Sequence, residues 1–431
     1  MSRARVTMTA LLLAAGANVA GAQPAATRVS KDAPAAPGAL SDAATRAAVL
    51  AAVRGVMEKA IADSAFPGGV AVVGDATGGY VMHGAGRIDW APDAPAPNAA
   101  TIWDMASLTK VVATTSAMLQ LVAERKVALD APVQRYLPDW KGPRKETVTV
   151  RHLLTHSSGM PSWRPLYKEA TNAAEAMALV MQTQLDTLPG ARYLYSDLNA
   201  ILLGEIVRRV SGQPLDQYLA KRVFGPLGMR DTRYLPPKSE LARIAPTEFD
   251  PWRQRKVHGE VHDENAYMLG GVSGHAGLFS TAADLSRLAR AYLNGGTLDG
   301  TRVFDAATIA EFTRVQDTTI SRRAIGWETP TGGNSAGQYL SRRAFGHTGF
   351  TGTSLWIDPA RGVYVILLTN RVNPTRQNTR IGGVRTALAN AAVRAMGGSP
   401  VFGSSTSSAP SPAPATPAAA TPRPAALPTP P

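Results

Sequence analysis

Apolar residues recur along the chain with two spacings, one typical of helices and one typical of strands. Spacings of three and four positions predict helices, which cover residues 43–62, 198–210 and 379–395. Short runs rich in β-branched residues predict strands at residues 69–73, 80–84, 343–347, 353–357 and 363–368. Gly, Pro and Asp between the last two runs, at residues 358–362, predict a tight turn.

The order of these elements predicts an α+β fold. A helix and two strands stand near one end of the chain, and three strands and a helix near the other. One antiparallel sheet would therefore be built from both chain ends and flanked by helices. The middle, about residues 120–310, is mostly helical in pattern and would form an inserted lobe. A cleft between sheet and lobe would suit a ligand.

The N-terminus has the pattern of an export signal. Arg3 and Arg5 precede an apolar stretch at residues 6–19, and Ala20-Gly21-Ala22 is a small-residue cleavage site. Together these features are typical of a secretory signal peptide over residues 1–22. We expect an exported protein, periplasmic or secreted, in which no other stretch inserts stably into a membrane.

Two further segments differ in composition from the middle of the chain. Residues 23–40 are rich in Ala and Pro and predict a flexible leader. Residues 398–431 consist mainly of Ala, Pro, Ser and Thr, which bury too little surface to offset their ordering entropy, and predict a disordered tail. The folded domain is therefore predicted over residues 41–397.

Composition excludes several kinds of chemistry. The 431 residues include no cysteine, so disulfides and thiolate metal sites are excluded. The net charge is +13, but no Lys or Arg block is long enough to form a patch, so we expect no nucleic-acid partner. The chain has no phosphate-binding loop, no dinucleotide fingerprint and no G-x-S-x-G turn. We expect neither a cofactor nor a metal.

Ser107 and Lys110 stand at the start of a long apolar helical run, residues 111–121. Residues three apart on a helix share one face, so the hydroxyl and the amine can point at the same place. A serine is a weak nucleophile until a neighbouring base takes its proton, and a lysine with a depressed pKa can be that base. By itself, the pattern also fits a Ser N-cap followed by a solvated Lys.

Two more motifs follow in order: Tyr195-Ser196-Asp197, and His347-Thr348-Gly349 at the end of a predicted strand. With Ser107-x-x-Lys110, this order resembles the superfamily of serine β-lactamases and penicillin-binding proteins. More closely, it resembles the branch of class C β-lactamases, D,D-carboxypeptidases and esterases. That resemblance covers about residues 45–395 and includes segments 130–138, 153–160 and 270–281.

The resemblance implies a role for each residue of the three motifs. Ser107 would be the acylated nucleophile, and Lys110 would lower its proton affinity or accept its proton. Tyr195 would shuttle protons between nucleophile, leaving group and water. A tyrosine is a poor base unless cations favour its phenolate, and Lys110 with His347 would supply that charge.

The same resemblance implies positions that hold the substrate. The backbone N–H groups of Ser107 and Phe350 would form an oxyanion hole. Thr348 and Gly349 would line the strand against which an extended substrate pairs.

Two positions depart from the pattern common in this branch. Asp197 stands where Asn is usual, and its carboxylate would keep Lys110 charged. Lys110 could then not accept a proton, and Tyr195 would be the group that transfers protons. His347 stands where Lys is frequent, and a histidine is only partly charged near neutral pH. His347 therefore makes efficient β-lactamase activity less expected, whereas D-amino-acid peptides and esters remain candidate substrates.

Other histidines allow a structural or a metal-binding interpretation. His152 and His156 are predicted to be a packed, hydrogen-bonded pair, because Leu153 stands where a zinc protease needs Glu. A looser group is predicted to line the cleft or to be structural, and its Asp263 and His275 are secondary site candidates. That group consists of His258, His262, Asp263 and His275.

Taken together, the motifs predict a cofactor-free serine hydrolase that works through an acyl-enzyme on amide or ester substrates. Peptidoglycan peptides ending in D-Ala are the leading substrate class, and β-lactams are expected acylating ligands. A carboxylesterase with the same machinery is one alternative. A non-catalytic wall-binding or sensor protein is a second alternative. A metal-dependent hydrolase is a third alternative, which the sequence supports least.

Overall fold

The computed structural model describes residues 39–403. The predicted signal peptide, nearly all of the predicted leader and the tail from residue 404 lie outside the described residues. The helices are α1 (Ala43–Ala62), α2 (Ser116–Ala123), α3 (Val150–Leu154), α4 (Leu166–Glu169), α5 (Ala173–Gln182), α6 (Asp197–Ser211), α7 (Leu215–Leu219), α8 (Gly225–Leu227), α9 (Glu264–Met268), α10 (Ala282–Leu293), α11 (Ala306–Thr313) and α12 (Ile381–Ala395). The strands are β1 (Gly68–Asp75), β2 (Tyr80–Gly86), β3 (Trp103–Asp104), β4 (Arg233–Tyr234), β5 (Phe249–Asp250), β6 (Arg255–Lys256), β7 (Leu278–Ser280), β8 (Thr297–Leu298), β9 (Thr301–Arg302), β10 (Phe345–Thr348), β11 (Ser354–Asp358) and β12 (Val363–Thr369).

The main sheet joins the two ends of the folded chain, as the sequence predicts. Its strand order is β10-β11-β12-β1-β2, and every neighbouring pair is antiparallel. Val70 of β1 lies opposite Leu368 of β12 on one side and Gly84 of β2 on the other. The predicted α+β fold, with its sheet built from both ends and flanked by helices, is confirmed.

Alternate residues of β1 pack into different cores. Val70 and Val72 belong to the large core shared with the helical lobe, whereas Ala71 and Val73 belong to a smaller core beneath α1 and α12. Successive side chains on a strand point to opposite faces, so a strand covered on both faces is apolar throughout. All eight residues of β1 are buried.

The folded part extends past its predicted limits at both ends. Leu40 is fully buried, and its N–H donates to Asp75 at 3.3 Å. Val401 donates its N–H to the Gln338 carbonyl at 2.8 Å. The guanidinium of Arg342 lies 4.6 Å from the ring centroid of Phe402. Residues just outside both predicted limits thus bond to the folded domain or pack against it. The average composition of a long segment does not reveal such individual contacts.

The lobe predicted to be mainly helical also contains short strands. A three-stranded sheet has the order β3-β7-β4, and β5-β6 and β8-β9 are two-stranded. Strands of two or three residues are too short for a periodic signal. The pairing of Asp104 with Phe279 matters most, because it brings the residues before Ser107 beside those after His275.

The apolar run after Ser107 is not one uniform helix. A 3₁₀ turn over Ala106–Leu108 leads into a π-helical segment, Lys110–Thr115, and then into α2. Segments of this type inside a helix are frequent at functional sites. By length and apolar composition, Ala106–Ala123 is the one described helix that could cross a membrane, but 83% of that stretch is buried within the fold.

Candidate active site

Ser107 follows a residue held in an uncommon backbone conformation. Ala106 has φ of 45°, in the left-handed region that non-glycine residues rarely adopt. Its N–H donates to the buried carboxylate of Asp104 at 2.8 Å, and the second oxygen of Asp104 accepts from the His262 N–H at 2.6 Å. Such strain persists only where surrounding contacts fix it. Here those contacts place Ser107 at the start of the helix, partly exposed.

Lys110 is buried against the nucleophile. Its Nζ donates to Ser107 Oγ at 2.9 Å and to the carbonyl of His275 at 3.1 Å, and it forms an ion pair with Asp197 at 2.8 Å. Burial alone would lower the pKa of Lys110, but the negative charge of Asp197 and the contact with Tyr195 raise it well above its usual value. Lys110 is therefore an ammonium ion that donates to Ser107.

The ring of Tyr195 is partly exposed and lies between two buried histidine rings, above Lys110. Its ring centroid is 4.6 Å from that of His156 and 5.8 Å from that of His347, and the Lys110 Nζ lies 5.0 Å from it. Burial raises the pKa of Tyr195, and the opposing interactions with Lys110 and Ser107 do not offset that rise. The nearby charge of Lys110 therefore does not produce a phenolate, and Tyr195 is a neutral phenol.

The segment after α3 fixes the backbone next to Tyr195. Ser196 donates its N–H to His156 Nδ1 at 3.1 Å and its hydroxyl to the Pro161 carbonyl at 2.6 Å. The predicted pairing of His152 with His156 is wrong. His152 caps the start of α3, whereas His156 lies beyond the end of that helix with φ of 55°. The motif at residues 153–160 thus acts by holding Tyr195.

His347 is buried on β10 and is neutral. Its Nδ1 lies 2.8 Å from the Thr348 carbonyl, and its Nε2 is 4.0 Å from Glu328. Burial, then the nearby positive charges of Arg323 and Lys110, holds the pKa of His347 well below its usual range. The expectation that His347 supplies positive charge to Tyr195 is therefore wrong.

Arg323 supplies the permanent charge on that side of the site. Its guanidinium is buried, lies 5.8 Å from the Tyr195 ring centroid and pairs with Glu328 at 3.4 Å. The sequence reasoning missed Arg323, since it lies in an irregular segment with no motif or periodicity. Asp104 was also missed, although its position directly before Ser107-x-x-Lys110 was a usable signal.

The turn after β10 is clamped against the backbone that precedes Ser107. A Cβ on Gly349 would lie 2.3 Å from the Met105 carbonyl oxygen, so no larger residue fits without displacing that backbone. Thr351 donates its hydroxyl to the Asp104 carbonyl at 2.7 Å. This clamp fixes Phe350, the predicted oxyanion-hole residue, in the same turn.

The edge of β10 is partly occupied. Gly346 and Glu328 exchange backbone hydrogen bonds of 3.0 and 2.8 Å on the side away from β11. Backbone groups alternate in direction along a strand, so Thr348, two residues on, presents its backbone to the same edge. That is where the predicted substrate strand would pair.

The secondary candidates Asp263 and His275 are bonded to each other and lie next to Lys110. His275 Nε2 is 2.9 Å from Asp263 Oδ1, and its Nδ1 is 2.8 Å from Ser273 Oγ. Burial would raise the pKa of Asp263, but His275, the Ala266 N–H and Lys110 together lower it well below its usual value. The His275 ring is thus locked while its carbonyl accepts from Lys110.

The other two histidines of that group lie in separate contacts. His262 Nε2 is 2.7 Å from Glu248, and His258 Nε2 is 2.9 Å from the Ile244 carbonyl. Within residues 39–403, no three His, Asp or Glu side chains lie together in a way that could hold a metal ion.

Comparisons with known proteins agree with this geometry. A sequence profile of the family described as Beta-lactamase matches residues 53–389. A protein of Escherichia coli (strain K12) named "Putative D-alanyl-D-alanine carboxypeptidase" is 35% identical over 309 residues, 63% of this chain and 69% of that relative. A protein of the same name from Salmonella agona (strain SL483) is 33% identical over 316 residues, 65% of this chain and 72% of that relative.

Solved structures share the fold at lower identity. A penicillin-binding-protein homologue from Caulobacter crescentus has a TM-score of 0.66 and 24% identity, with 80% of this chain and 97% of that chain covered. A class C β-lactamase has a TM-score of 0.63 and 18% identity, with 80% and 98% covered. At these identities the structural likeness shows the fold alone.

Proposed function

The chain belongs to the beta-lactamase family of serine hydrolases, and from that premise we propose that it is an exported enzyme that removes the terminal D-alanine of peptidoglycan peptides. The observation that carries the proposal is the 2.9 Å hydrogen bond from a buried, ion-paired Lys110 to Ser107. The name carried by the Escherichia coli and Salmonella relatives supports the substrate class. The signal-like residues 1–22 support export.

Acylation follows from the protonation states of the site. Ser107 Oγ attacks the carbonyl carbon of the scissile D-Ala–D-Ala amide, and the N–H groups of Ser107 and Phe350 stabilise the developing oxyanion. Because Lys110 is an ammonium ion, it cannot take the Ser107 proton. Neutral Tyr195 accepts that proton while its own proton passes to the leaving nitrogen. The C–N bond breaks, D-alanine leaves as an amine, and an ester remains on Ser107.

Deacylation reverses the relay. A water molecule attacks the ester carbonyl and gives a proton to Tyr195 as Tyr195 returns one to Ser107 Oγ. The peptide leaves as a carboxylic acid that loses its remaining proton to the solvent, and the residues regain their starting protonation. Lys110 stays positive throughout and stabilises negative charge on Oγ in both halves of the cycle.

The test is to incubate the mature chain, residues 23–431, with a fluorescent penicillin and to map the labelled peptide. We expect a lasting adduct on Ser107, absent in Ser107→Ala, and release of D-alanine from a pentapeptide. Rapid turnover of the penicillin would instead indicate a β-lactamase. Absence of both the adduct and D-alanine release would overturn the proposal.

A carboxylesterase is the second candidate, and the neutral, buried His347 favours it. A neutral imidazole offers no permanent charge to a substrate carboxylate, and an ester without a carboxylate does not need one. Turnover of p-nitrophenyl esters that Ser107→Ala abolishes, without a penicillin adduct or D-alanine release, would select this candidate.

A further inference from the structure

Four aromatic side chains form a row that reaches the surface, which we call the aromatic row: Trp163, Tyr167, Trp252 and Tyr267. Successive ring centroids are 6.4, 5.1 and 5.9 Å apart. Trp252 is 38% exposed and Tyr267 is 37% exposed. Exposed aromatic rings that lie side by side, unlike apolar residues scattered singly, mark candidate binding surfaces.

One end of the aromatic row begins beside the catalytic residues. Trp163 follows Ser162, whose carbonyl accepts the N–H of Asp197 at 2.9 Å. Asp197 is in turn the ion-pair partner of Lys110. The backbone next to Trp163 is therefore bonded to the residue that pairs with Lys110.

The other end of the row is also tied to the site. Tyr267 lies on α9, and Asp263 caps the first turn of that helix by accepting the Ala266 N–H at 2.8 Å. The same carboxylate oxygen bonds His275, whose carbonyl accepts from Lys110. Both ends of the row are thus carried by segments that are bonded to the residues around Lys110.

A buried arginine holds the two exposed rings. The side chain of Arg253 is 3% exposed, pairs with Asp250, and donates to the carbonyls of Val261 and His262. Its guanidinium lies 4.6 Å from the Tyr267 ring centroid and 6.0 Å from that of Trp252. Burying an ion pair is costly, and here it fixes two rings that remain open to solvent.

The composition around the row indicates what it binds. Aromatic faces are electron-rich and stack on the C–H face of a pyranose ring, and charged side chains at the edges can bond its hydroxyls. Both signs of charge are present: Asp263 is partly exposed, and Lys168 lies 5.6 Å from the Tyr167 ring centroid. Arg255, whose guanidinium lies 6.0 Å from the Tyr267 ring centroid, is paired with Glu260, so the row is flanked by charges of both signs rather than by the basic cluster that an anionic membrane would require.

Ring orientation also argues against a lipid surface. The Tyr167 and Trp252 planes meet at 70°, and those of Trp252 and Tyr267 at 83°. Neighbouring rings are therefore steeply inclined to each other and do not form a flat apolar surface on which acyl chains could lie. A rigid sugar ring can pack in the angle between two such rings.

We propose that the aromatic row is a sugar-binding subsite, which holds a pyranose of the glycan that carries the scissile peptide. This proposal rests on the peptidase function and narrows its substrate to peptides still attached to sugar.

Two measurements test the subsite. Calorimetric titration of Ser107→Ala protein with an N-acetylglucosamine tetramer should give saturable binding, which Trp252→Ala weakens about tenfold or more and Trp252→Phe largely retains. The ratio of kcat/KM for a disaccharide-linked pentapeptide to that for the free pentapeptide should be about ten and should fall towards one in Trp252→Ala. Tyr80→Ala, which removes an exposed ring on β2 outside the aromatic row, is the control for both.

The outcomes separate this proposal from the one on which it rests. If neither peptide is cleaved but the tetramer binds through Trp252, the peptidase function fails and the subsite stands. If both peptides are cleaved at equal rates and no tetramer binds, only the subsite is overturned. Binding to phosphatidylglycerol vesicles that Trp252→Ala abolishes, without tetramer binding, would also overturn it in favour of a lipid surface.

Discussion

At the residue scale, the replacement of Asn by Asp at position 197 decides how Ser107 can be activated. The ion pair at 2.8 Å keeps Lys110 protonated, although burial opposes its charge. A protonated lysine can polarise Ser107 Oγ but cannot take its proton. Tyr195 is then the group that exchanges protons with Ser107, and it does so as a phenol.

Asp197→Asn should change how activity depends on pH. Without the carboxylate, burial lowers the pKa of Lys110, so neutral lysine becomes available as a base when the pH rises. We expect kcat/KM for a p-nitrophenyl ester to rise between about pH 8 and 10 in the variant but not in the wild type. Asp186→Asn, in an exposed loop, is the control. Identical profiles for the variant and the wild type would refute this account of Lys110.

The sequence predicted the residues that meet at Ser107 and the charge of Lys110, but not the neutral state of His347. Ser107, Lys110, Tyr195 and Asp197 belong to short motifs whose spacing constrains them. Protonation depends on burial and on neighbours far away along the chain. Arg323, which helps keep His347 neutral, is 24 positions from it in an irregular segment, so no local pattern pointed to it.

At the element scale, the site depends on how the β10–β11 connection rests against the start of the Ser107 helix. Both elements were predicted within a few residues of their observed bounds, because each has a strong apolar pattern. The resemblance implied that they meet, because it placed Ser107 and Phe350 in one oxyanion hole, but the bonds that hold them together were not predicted. These bonds are made by hydroxyls of Thr351 and Thr353 to the carbonyls of Asp104 and Met105, and such side-chain-to-backbone bonds have no sequence period.

Gly349→Ala should damage both stability and acylation. The added Cβ would lie 2.1 Å from Thr353 Oγ1 and 2.3 Å from the Met105 carbonyl oxygen, and the latter is backbone that cannot move without shifting Ser107. We expect the free energy of unfolding to fall by about 1–3 kcal/mol and penicillin acylation to slow by about tenfold or more. Urea unfolding and stopped-flow labelling measure the two effects.

The matched control for that prediction is Gly383→Ala on α12, where an added Cβ meets nothing within 4 Å. Alanine favours a helix over glycine by about 1 kcal/mol, so this variant should be neutral or slightly more stable, with unchanged acylation. If Gly349→Ala behaves in the same way, the clamp does not position Ser107.

At the scale of the whole molecule, the sheet built from both chain ends brings three cations together around His347. Lys110 comes from the helix after β3, Arg323 from the segment after α11, and Arg385 from α12. Burial lowers the pKa of Arg385 to about 9. Each of these charges lowers the pKa of His347, whereas Glu328, 4.0 Å from its Nε2, opposes them. No single segment of the sequence contains this cluster, and only the predicted topology could have suggested it.

The neutral state of His347 should make the protein less stable in mild acid. Its folded pKa lies well below 6.5, whereas an unfolded histidine titrates near its model value of about 6.5. Above that pH both states are neutral and His347 contributes no pH dependence. Below it the unfolded chain binds a proton that the folded chain excludes, so stability falls as the pH falls, by up to about 1.4 kcal/mol per pH unit. Urea unfolding at about pH 7 and 5.5 should therefore show a loss of stability about 1 kcal/mol smaller in His347→Gln than in the wild type.

His83→Gln is the control, because His83 is partly buried and its pKa is lowered less, so this variant should reduce the loss of stability by less. An equal loss in His347→Gln and in the wild type would mean that folded His347 binds a proton as readily as the unfolded chain does, which would contradict a depressed pKa of His347.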